Sequence, residues 1–142
     1  MKIAVAGVGY VGLVTAVTLA DIGHDVICLD VDKGKLKMLN EGVSPIYEYG
    51  LKELMLKNRE RLEFTDDVTK YSEAQVIIIG VGTPEKEDGS ADLSAVFAVA
   101  DCIADNCSDG AVVVVKSTVP IGTCESVRHR IGERRPNLHF FV

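Results

Sequence analysis

The chain has 142 residues, the length of one ordinary domain, with 47% hydrophobic and 25% charged residues. This composition is typical of a globular protein and excludes a disordered one. The formal net charge of -6 argues against nucleic acid as a partner, because phosphates require a basic patch. No apolar run approaches the roughly 20 residues of a membrane helix, and the N-terminus has no signal-peptide pattern. We therefore expect no membrane partner and a cytoplasmic location.

The four cysteines are the next feature that could define a site. They are Cys28, Cys102, Cys107 and Cys124, and they form neither a CxxC pair nor a Cys/His cluster with zinc spacing. In a cytosolic chain they are most simply free thiols, so the sequence predicts neither a disulfide framework nor a metal site.

The first half of the chain predicts three strands alternating with helices. The predicted strands are Lys2–Ala6, Asp25–Asp30 and Leu62–Thr65, and the predicted helices are Tyr10–Ile22, Lys33–Asn40 and Leu51–Asn58. Gly23 is placed to end the first helix, and the Asp66-Asp67 pair is placed to cap a short helix after the third strand. Gly42–Tyr49 is predicted to be a loop.

The second half repeats the alternation. The predicted strands are Gln75–Gly80, Ala111–Lys116 and Leu138–Val142, and the predicted helices are Ala91–Cys107 and a segment that runs from the turn at Val119–Thr123 to Ile131. The fourth and fifth strands are continuous β-branched runs, typical of strands buried on both faces. The arginines Arg128, Arg130, Arg134 and Arg135 are predicted to form a solvated helix face.

This order predicts an α/β fold with a doubly wound, six-stranded parallel sheet, strand order 3-2-1-4-5-6, and helices on both faces. Residues 1–142 are expected to form one dinucleotide-binding domain. Because the sequence ends on the apolar run Phe140-Phe141-Val142, we expect it to be a fragment of a longer polypeptide.

A glycine-rich loop follows the first predicted strand and opens the first helix, with the sequence Gly7-Val8-Gly9-Tyr10-Val11-Gly12. This is the GxGxxG pattern in the context that gives it meaning. The three glycines would allow a tight turn, a close approach of pyrophosphate to the backbone, and close packing of the helix on the sheet. The helix N-terminus would supply free N–H groups to the phosphates.

Asp30 ends the second strand, 18 residues after Gly12 (30 − 12). A carboxylate there accepts hydrogen bonds from ribose hydroxyls and repels a 2′-phosphate, which favours NAD over NADP. The same loop and acid are compatible with FAD or with a ligand-sensing module, so the cofactor stays open at this level.

Four separated motifs, in this order, resemble those of the nucleotide-sugar dehydrogenase family. They are Ser44-Pro45-Ile46-Tyr47-Glu48, Gly80-Val81-Gly82-Thr83-Pro84, Asp88-Gly89-Ser90-Ala91-Asp92-Leu93-Ser94 and Lys116-Ser117-Thr118-Val119-Pro120-Ile121-Gly122-Thr123. The resemblance covers the whole chain. One departure is Tyr49, where the family usually has proline, and it leaves the shape of that loop open.

The resemblance implies NAD as the cofactor and a set of site residues. Cofactor binding is expected at Gly7, Gly9, Tyr10, Val11, Gly12, Asp30, Lys35, Thr83 and Thr118. Val11, Asp30 and Lys35 would contact the adenosine half, while Thr83 and Thr118 would line the nicotinamide side. Thr118 would also be catalytic, close to the reacting carbon or its water. As alternatives, Thr83 could be only a turn residue and Thr118 only a cap for the helix that follows.

The family oxidises the C6 alcohol of a nucleotide sugar to a carboxylate with two NAD, through a thiohemiacetal and a thioester on a cysteine. None of the four cysteines matches that position, so this chain is expected to bind NAD without turning over alone. Pro45-Ile46-Tyr47-Glu48 favours UDP-glucose over GDP-mannose or UDP-N-acetylmannosamine. The full-length enzyme is expected to be a homo-oligomer. More distant alternatives are a β-hydroxyacid dehydrogenase, against which the Lys116–Pro120 motif argues, and an NAD-sensing regulatory module.

Overall fold

A computed structural model describes all 142 residues and shows six strands alternating with helices. The strands are β1 (Lys2–Ala6), β2 (Asp25–Leu29), β3 (Leu62–Thr65), β4 (Val76–Ile79), β5 (Ala111–Val115) and β6 (Phe140–Phe141). The α-helices are α1 (Tyr10–Asp21), α2 (Lys33–Asn40), α3 (Leu51–Lys57), α4 (Ser94–Asn106) and α5 (Thr123–Arg134). Two 3₁₀ turns, Arg59–Arg61 and Val68–Glu73, flank β3.

All six strands belong to one sheet in the order β3-β2-β1-β4-β5-β6. Every pairing is parallel, and Ile3 of β1 lies opposite Val26 of β2 on one side and Val76 of β4 on the other. The predicted fold class is therefore confirmed. The strand order reverses between β1 and β4, and this reversal creates a crevice at the carboxyl ends of the strands where such sheets bind ligands.

Alternating residues of the strands divide the core between the two faces of the sheet. Ala4 and Ala6 of β1 point into a core built with α4 and α5. Ile3 and Val5 point into a second core, built with α1, α2 and α3. Because helices cover both faces of the central strands, the β1 residues that point to either face are buried.

The prediction that β5 is buried on both faces was wrong. Ala111 and Val113 are buried against α4 and α5, but Val112 and Val114 are 38% and 40% exposed. The physical reason is that α1 packs over β1, β2 and β3, and no element of this chain covers the same face of β5. Here the β-branched run therefore correctly predicted a strand, but it did not indicate that both faces of the strand are buried.

Most predicted boundaries lie within one or two residues of the observed ones, with two larger differences. The predicted helix at Ala91–Cys107 begins only at Ser94, because Ala91 forms an isolated bridge with Glu85 and Asp92 accepts a hydrogen bond from the Ser94 N–H. The last helix continues past Ile131 to Arg134. None of the helices combines the length and hydropathy needed to cross a membrane.

Candidate functional site

The glycine loop leaves β1 at the reversal point of the sheet and touches the end of β4. Gly7 has a φ of +94°, a conformation that favours glycine. A β-carbon placed on Gly7 would lie 3.0 Å from the Gly80 carbonyl oxygen, so glycine also permits the close approach of two backbones. The end of β4 is glycine at the point of contact, and a β-carbon on Gly80 would lie 3.2 Å from the α-carbon of Gly12.

The remaining two glycines of the loop have different surroundings. A β-carbon on Gly12 would lie 1.8 Å from the Gly7 carbonyl oxygen, so this position tolerates no side chain. A β-carbon placed on Gly9 would have no atom of a more distant residue within 4 Å. Gly9 is the N-cap of α1 and makes no side-chain cap, and the first N–H groups of a helix have no intrahelical acceptor. Open space beside free N–H groups suits a pyrophosphate.

Asp30 lies at the end of β2, beside this loop. Its Oδ2 accepts a hydrogen bond from the Val8 N–H at 2.7 Å, and its Oδ1 accepts one from the Asp32 N–H at 2.9 Å. Each carboxylate oxygen keeps further acceptor capacity. Asp30 also borders the apolar pocket beyond the loop, so it lies between the space for a pyrophosphate and the space for a base, where a ribose would be.

That pocket has a volume of about 250 Å³ and is lined mostly by hydrophobic residues. Leu29 comes from β2, Val68 and Tyr71 from the 3₁₀ turn after β3, and Val99 and Cys102 from α4. Burial raises the pKa of both the Tyr71 phenol and the Cys102 thiol. The two side chains are therefore neutral at physiological pH and form an apolar wall, which suits a flat aromatic base.

On the other side of the crevice, hydrogen bonds join the loops that follow β4 and β5. The Thr83 hydroxyl donates to the Thr118 carbonyl at 2.8 Å, and the Ser117 hydroxyl donates to the Val81 carbonyl at 2.7 Å. The structure thus brings Thr83 and Thr118 together. The alternative that Thr118 is a helix cap is wrong, because α5 begins only at Thr123 with Gly122 as its N-cap.

Three other predicted cofactor residues lie away from the apolar pocket. The Tyr10 hydroxyl is 2.6 Å from the Tyr47 carbonyl and 2.8 Å from Glu48 Oε2, and the hydrogen bond with Glu48 raises the Tyr10 pKa. Val11 borders a separate groove along α1. Lys35 is 3.9 Å from Asp32 across an exposed ion pair. Their contact with the cofactor stays a prediction.

The sequence predicts no role for Ser117, Tyr71 or Cys102. Ser117 belongs to the Lys116–Thr123 motif, but its hydrogen bond to Val81 joins residues 36 positions apart. Tyr71 and Cys102 meet only because the segment after β3 crosses to β4 on the face covered by α4. Periodicity carries no signal for such a meeting, so only the three-dimensional packing could reveal it.

The reversal point, the glycine loop at a helix N-terminus, the acid after β2 and the apolar pocket together define a dinucleotide-binding domain of the doubly wound class. The sequence pattern described as "UDP-glucose/GDP-mannose dehydrogenase family, NAD binding domain" matches residues 1–141. The chain belongs to this family and is an NAD-binding domain of it.

Individual relatives agree with that assignment. Over 140 residues, the chain is 50% identical to UDP-glucose 6-dehydrogenase of Rhizobium meliloti. This alignment covers 96% of this chain and 32% of that protein. GDP-mannose dehydrogenase from Pseudomonas aeruginosa superposes with a TM-score of 0.92 at 36% identity, over 99% of this chain and 34% of that one. UDP-D-ManNAc dehydrogenase from Pyrococcus horikoshii gives 0.92 at 33% identity, with coverage of 99% and 34%. The chain thus spans about a third of the length of these relatives.

Proposed function

We propose that this chain is the cofactor-binding part of an enzyme that oxidises the C6 alcohol of UDP-glucose to UDP-glucuronate with two NAD. The observation that carries the proposal is the 50% identity to a protein named UDP-glucose 6-dehydrogenase, extending over 96% of the chain. The site geometry supports the cofactor part, because the open space beside Gly9, the carboxylate of Asp30 and the apolar pocket follow one another in the order of a dinucleotide.

Each part of the site would have one task. The free N–H groups beside Gly9 would hold the pyrophosphate, and Asp30 would accept hydrogen bonds from the adenosine ribose. The pocket at Tyr71 and Cys102 would receive the adenine. Thr83 and Thr118, at the carboxyl ends of β4 and β5, would border the nicotinamide. NAD, when bound, supplies a hydride acceptor.

The covalent chemistry would lie outside this chain. Cys28 and Cys107 are buried, and burial raises the pKa of both thiols. Cys102 is part of the apolar pocket wall. Cys124 is exposed in the first turn of α5 and has no titratable base within hydrogen-bond reach. A nucleophilic cysteine needs a lowered pKa and a nearby base, so we expect the chain to bind NAD but not to turn over alone.

Calorimetric titration with NAD and, separately, NADP tests the cofactor part. We expect clear NAD binding, weaker NADP binding, and an NAD affinity at least about tenfold lower in Asp30→Ala, because a carboxylate that accepts several hydrogen bonds is lost. Absence of binding by either nucleotide would overturn the proposal. NADH formation at normal rates by the chain alone, with UDP-glucose and NAD, would contradict the assignment of the covalent step.

A second candidate substrate class has specific support. The structural neighbours with a TM-score of 0.92 are named for GDP-mannose and UDP-D-ManNAc, and this chain covers 34% of each of them. The enzyme that carries this chain should be assayed with all three nucleotide sugars. We expect the highest kcat/KM with UDP-glucose, and a higher value for either rival would reassign the substrate.

A further inference from the structure

Ser117 is one of two buried polar side chains in the molecule, with 9% of its surface exposed. It lies just beyond the end of β5, immediately before Thr118. Its hydroxyl is 2.7 Å from the Val81 carbonyl and 3.3 Å from the Ile79 carbonyl. A buried hydroxyl that is hydrogen-bonded to the backbone of another segment fixes the relative position of the two segments. Here the two segments are the ends of β4 and β5 with the loops that follow them.

The backbone around Ser117 is held to β4 as well. The N–H groups of Lys116 and Ser117 both donate to the Ile79 carbonyl, at 2.9 and 3.0 Å. Because two successive N–H groups donate to one carbonyl, the regular hydrogen-bond ladder between β4 and β5 ends here. The chain therefore turns at Ser117, and the side-chain bond to Val81 continues the attachment where the ladder stops.

Thr83 holds the same segment from its other side. Its hydroxyl donates to the Thr118 carbonyl at 2.8 Å, so its one proton is committed to the protein. Thr118 is thus fixed on both sides: Ser117 holds the preceding peptide, and Thr83 holds the carbonyl of Thr118 itself. Thr118 itself is exposed.

We propose that Ser117 is a positioning residue for Thr118: its hydroxyl, with that of Thr83, fixes the Thr118 backbone so that the Thr118 side chain faces the nicotinamide half of the cofactor. The inference rests on the proposed function, in which Thr118 borders the nicotinamide. It gives Thr83, which the proposed function places beside the nicotinamide, the additional task of bracing Thr118. Ser117 itself would not touch the reacting atoms.

The test compares the wild-type chain with Ser117→Ala, Thr83→Val and Thr83→Ser, using NAD as the probe. Saturation-transfer NMR reports separately on the nicotinamide and adenine protons, and calorimetry gives the affinity. In Ser117→Ala and Thr83→Val we expect the nicotinamide-to-adenine signal ratio to fall, with NAD affinity lowered roughly threefold to tenfold, the effect of one lost hydrogen bond. Thr83→Ser keeps the hydroxyl and should retain the wild-type ratio.

Ser108→Ala is the matched control. The Ser108 hydroxyl donates to the Ser72 carbonyl at 2.6 Å, also across 36 positions, but it joins the segments that precede β4 and β5, at the opposite edge of the sheet. It should leave the signal ratio unchanged. Thermal unfolding of each variant monitors the fold, and Thr83→Val, at a partly exposed position, carries the test if Ser117→Ala unfolds.

An unchanged signal ratio in both Ser117→Ala and Thr83→Val would overturn the inference. So would an equal loss of all signals in Ser117→Ala and Ser108→Ala, because that pattern marks a general structural role. Adenine signals without nicotinamide signals in the wild type would overturn the inference while leaving NAD binding intact. Absence of NAD binding in the wild type would instead be a failure of the proposed function.

Discussion

The Oδ2 atom of Asp30 accepts a hydrogen bond from the Val8 N–H at 2.7 Å, so the acid after β2 holds the glycine loop. Asp30 is thus connected to both parts of the site that a dinucleotide would span. Its negative charge would select against a 2′-phosphate, while its hydrogen bond shapes the loop. These two effects are separable by mutation.

We predict that Asp30→Asn separates them. The side-chain carbonyl of asparagine can still accept from Val8, but the charge is lost. NAD affinity should fall less than in Asp30→Ala, while the preference for NAD over NADP falls about tenfold, which corresponds to roughly 1.4 kcal/mol. Calorimetric titration with both nucleotides measures the two effects. An Asn variant with the full wild-type preference would show that the charge does not select the cofactor.

A pair of glycine substitutions distinguishes the folding role of the loop from its binding role. In Gly12→Ala the new β-carbon would lie 1.8 Å from the Gly7 carbonyl oxygen, with backbone on both sides of the contact. Such overpacking cannot relax through a side chain, so the free energy of unfolding should fall by about 3 kcal/mol, the upper end of the usual cost of overpacking. Urea unfolding followed by circular dichroism measures this change.

Gly9→Ala is the counterpart. Gly9 has a φ of -74° and a ψ of -166°, which alanine adopts, and no atom lies within 4 Å of the new β-carbon. The free energy of unfolding should therefore change by less than about 1 kcal/mol. NAD binding should weaken at least about tenfold, because the methyl group would occupy the space for the pyrophosphate. Unaltered NAD affinity in a folded Gly9→Ala chain would refute the assignment of that space.

Short-range signals in the sequence were sufficient to predict the helices and strands and one part of the site. β1, α2 and β3 have the predicted bounds, since each is marked by its own periodicity and by neighbouring breakers. The glycine loop and Asp30 were also predictable, because one strand–turn–helix unit and the next strand place them. The parallel order followed from the alternation of strands and helices.

The rest depended on contacts between distant segments. The open face of β5 could not be predicted, because exposure of Val112 and Val114 is decided by what packs there and not by the residues themselves. Likewise, Arg130 and Arg134 are exposed on α5, as predicted, but their bidentate hydrogen-bonded pairs with Asp101 and Asp105 on the facing helix could not be predicted. Their partners lie 29 positions away, beyond the reach of periodicity.

Tyr10 joins the first turn of α1 to the loop before α3 through its hydrogen bonds to Tyr47 and Glu48. The bond to Glu48 raises the Tyr10 pKa, so Tyr10 should ionise above the ordinary tyrosine value of 10.0. The stabilisation from this bond should be complete below that value and lost as the pH rises through the raised pKa. Tyr10→Phe should remove it at every pH.

Absorbance titration of tyrosinate in the wild type and in Tyr10→Phe measures that pKa by difference. Tyr47→Phe is the control, because its side chain is 87% exposed and only its backbone carbonyl contacts Tyr10. In the same variants, limited proteolysis within 43–50 should be faster for Tyr10→Phe than for Tyr47→Phe. A Tyr10 pKa at or below the ordinary value of 10.0 would contradict the predicted effect of its hydrogen bond with Glu48.

The pair formed by Arg134 of α5 and Asp105 of α4 should stabilise the fold in a pH-dependent way. Its two hydrogen bonds are 2.6 and 2.7 Å long and lower the pKa of Asp105 below the ordinary 3.8. A carboxylate with a lowered pKa contributes stability above its unfolded-state pKa and loses it as the pH falls through the folded-state value. Arg134→Gln should therefore lower the melting temperature at pH 7. The difference from wild type should begin to shrink below about pH 3.8 and disappear once the pH has fallen below the lowered pKa of Asp105.

Arg128→Gln is the matched control, because Arg128 pairs with Glu125 three residues earlier on the same helix. A pair within one helix links no distant segments, so its loss should lower the melting temperature less. Arg130 is less suitable, since its guanidinium also lies 5.5 Å from the centre of the Phe97 ring, a contact that does not depend on the charge of Asp101. If Arg134→Gln and Arg128→Gln lower the melting temperature equally, or if the Arg134→Gln difference persists in acid, the helix-to-helix pair does not supply the predicted stabilisation.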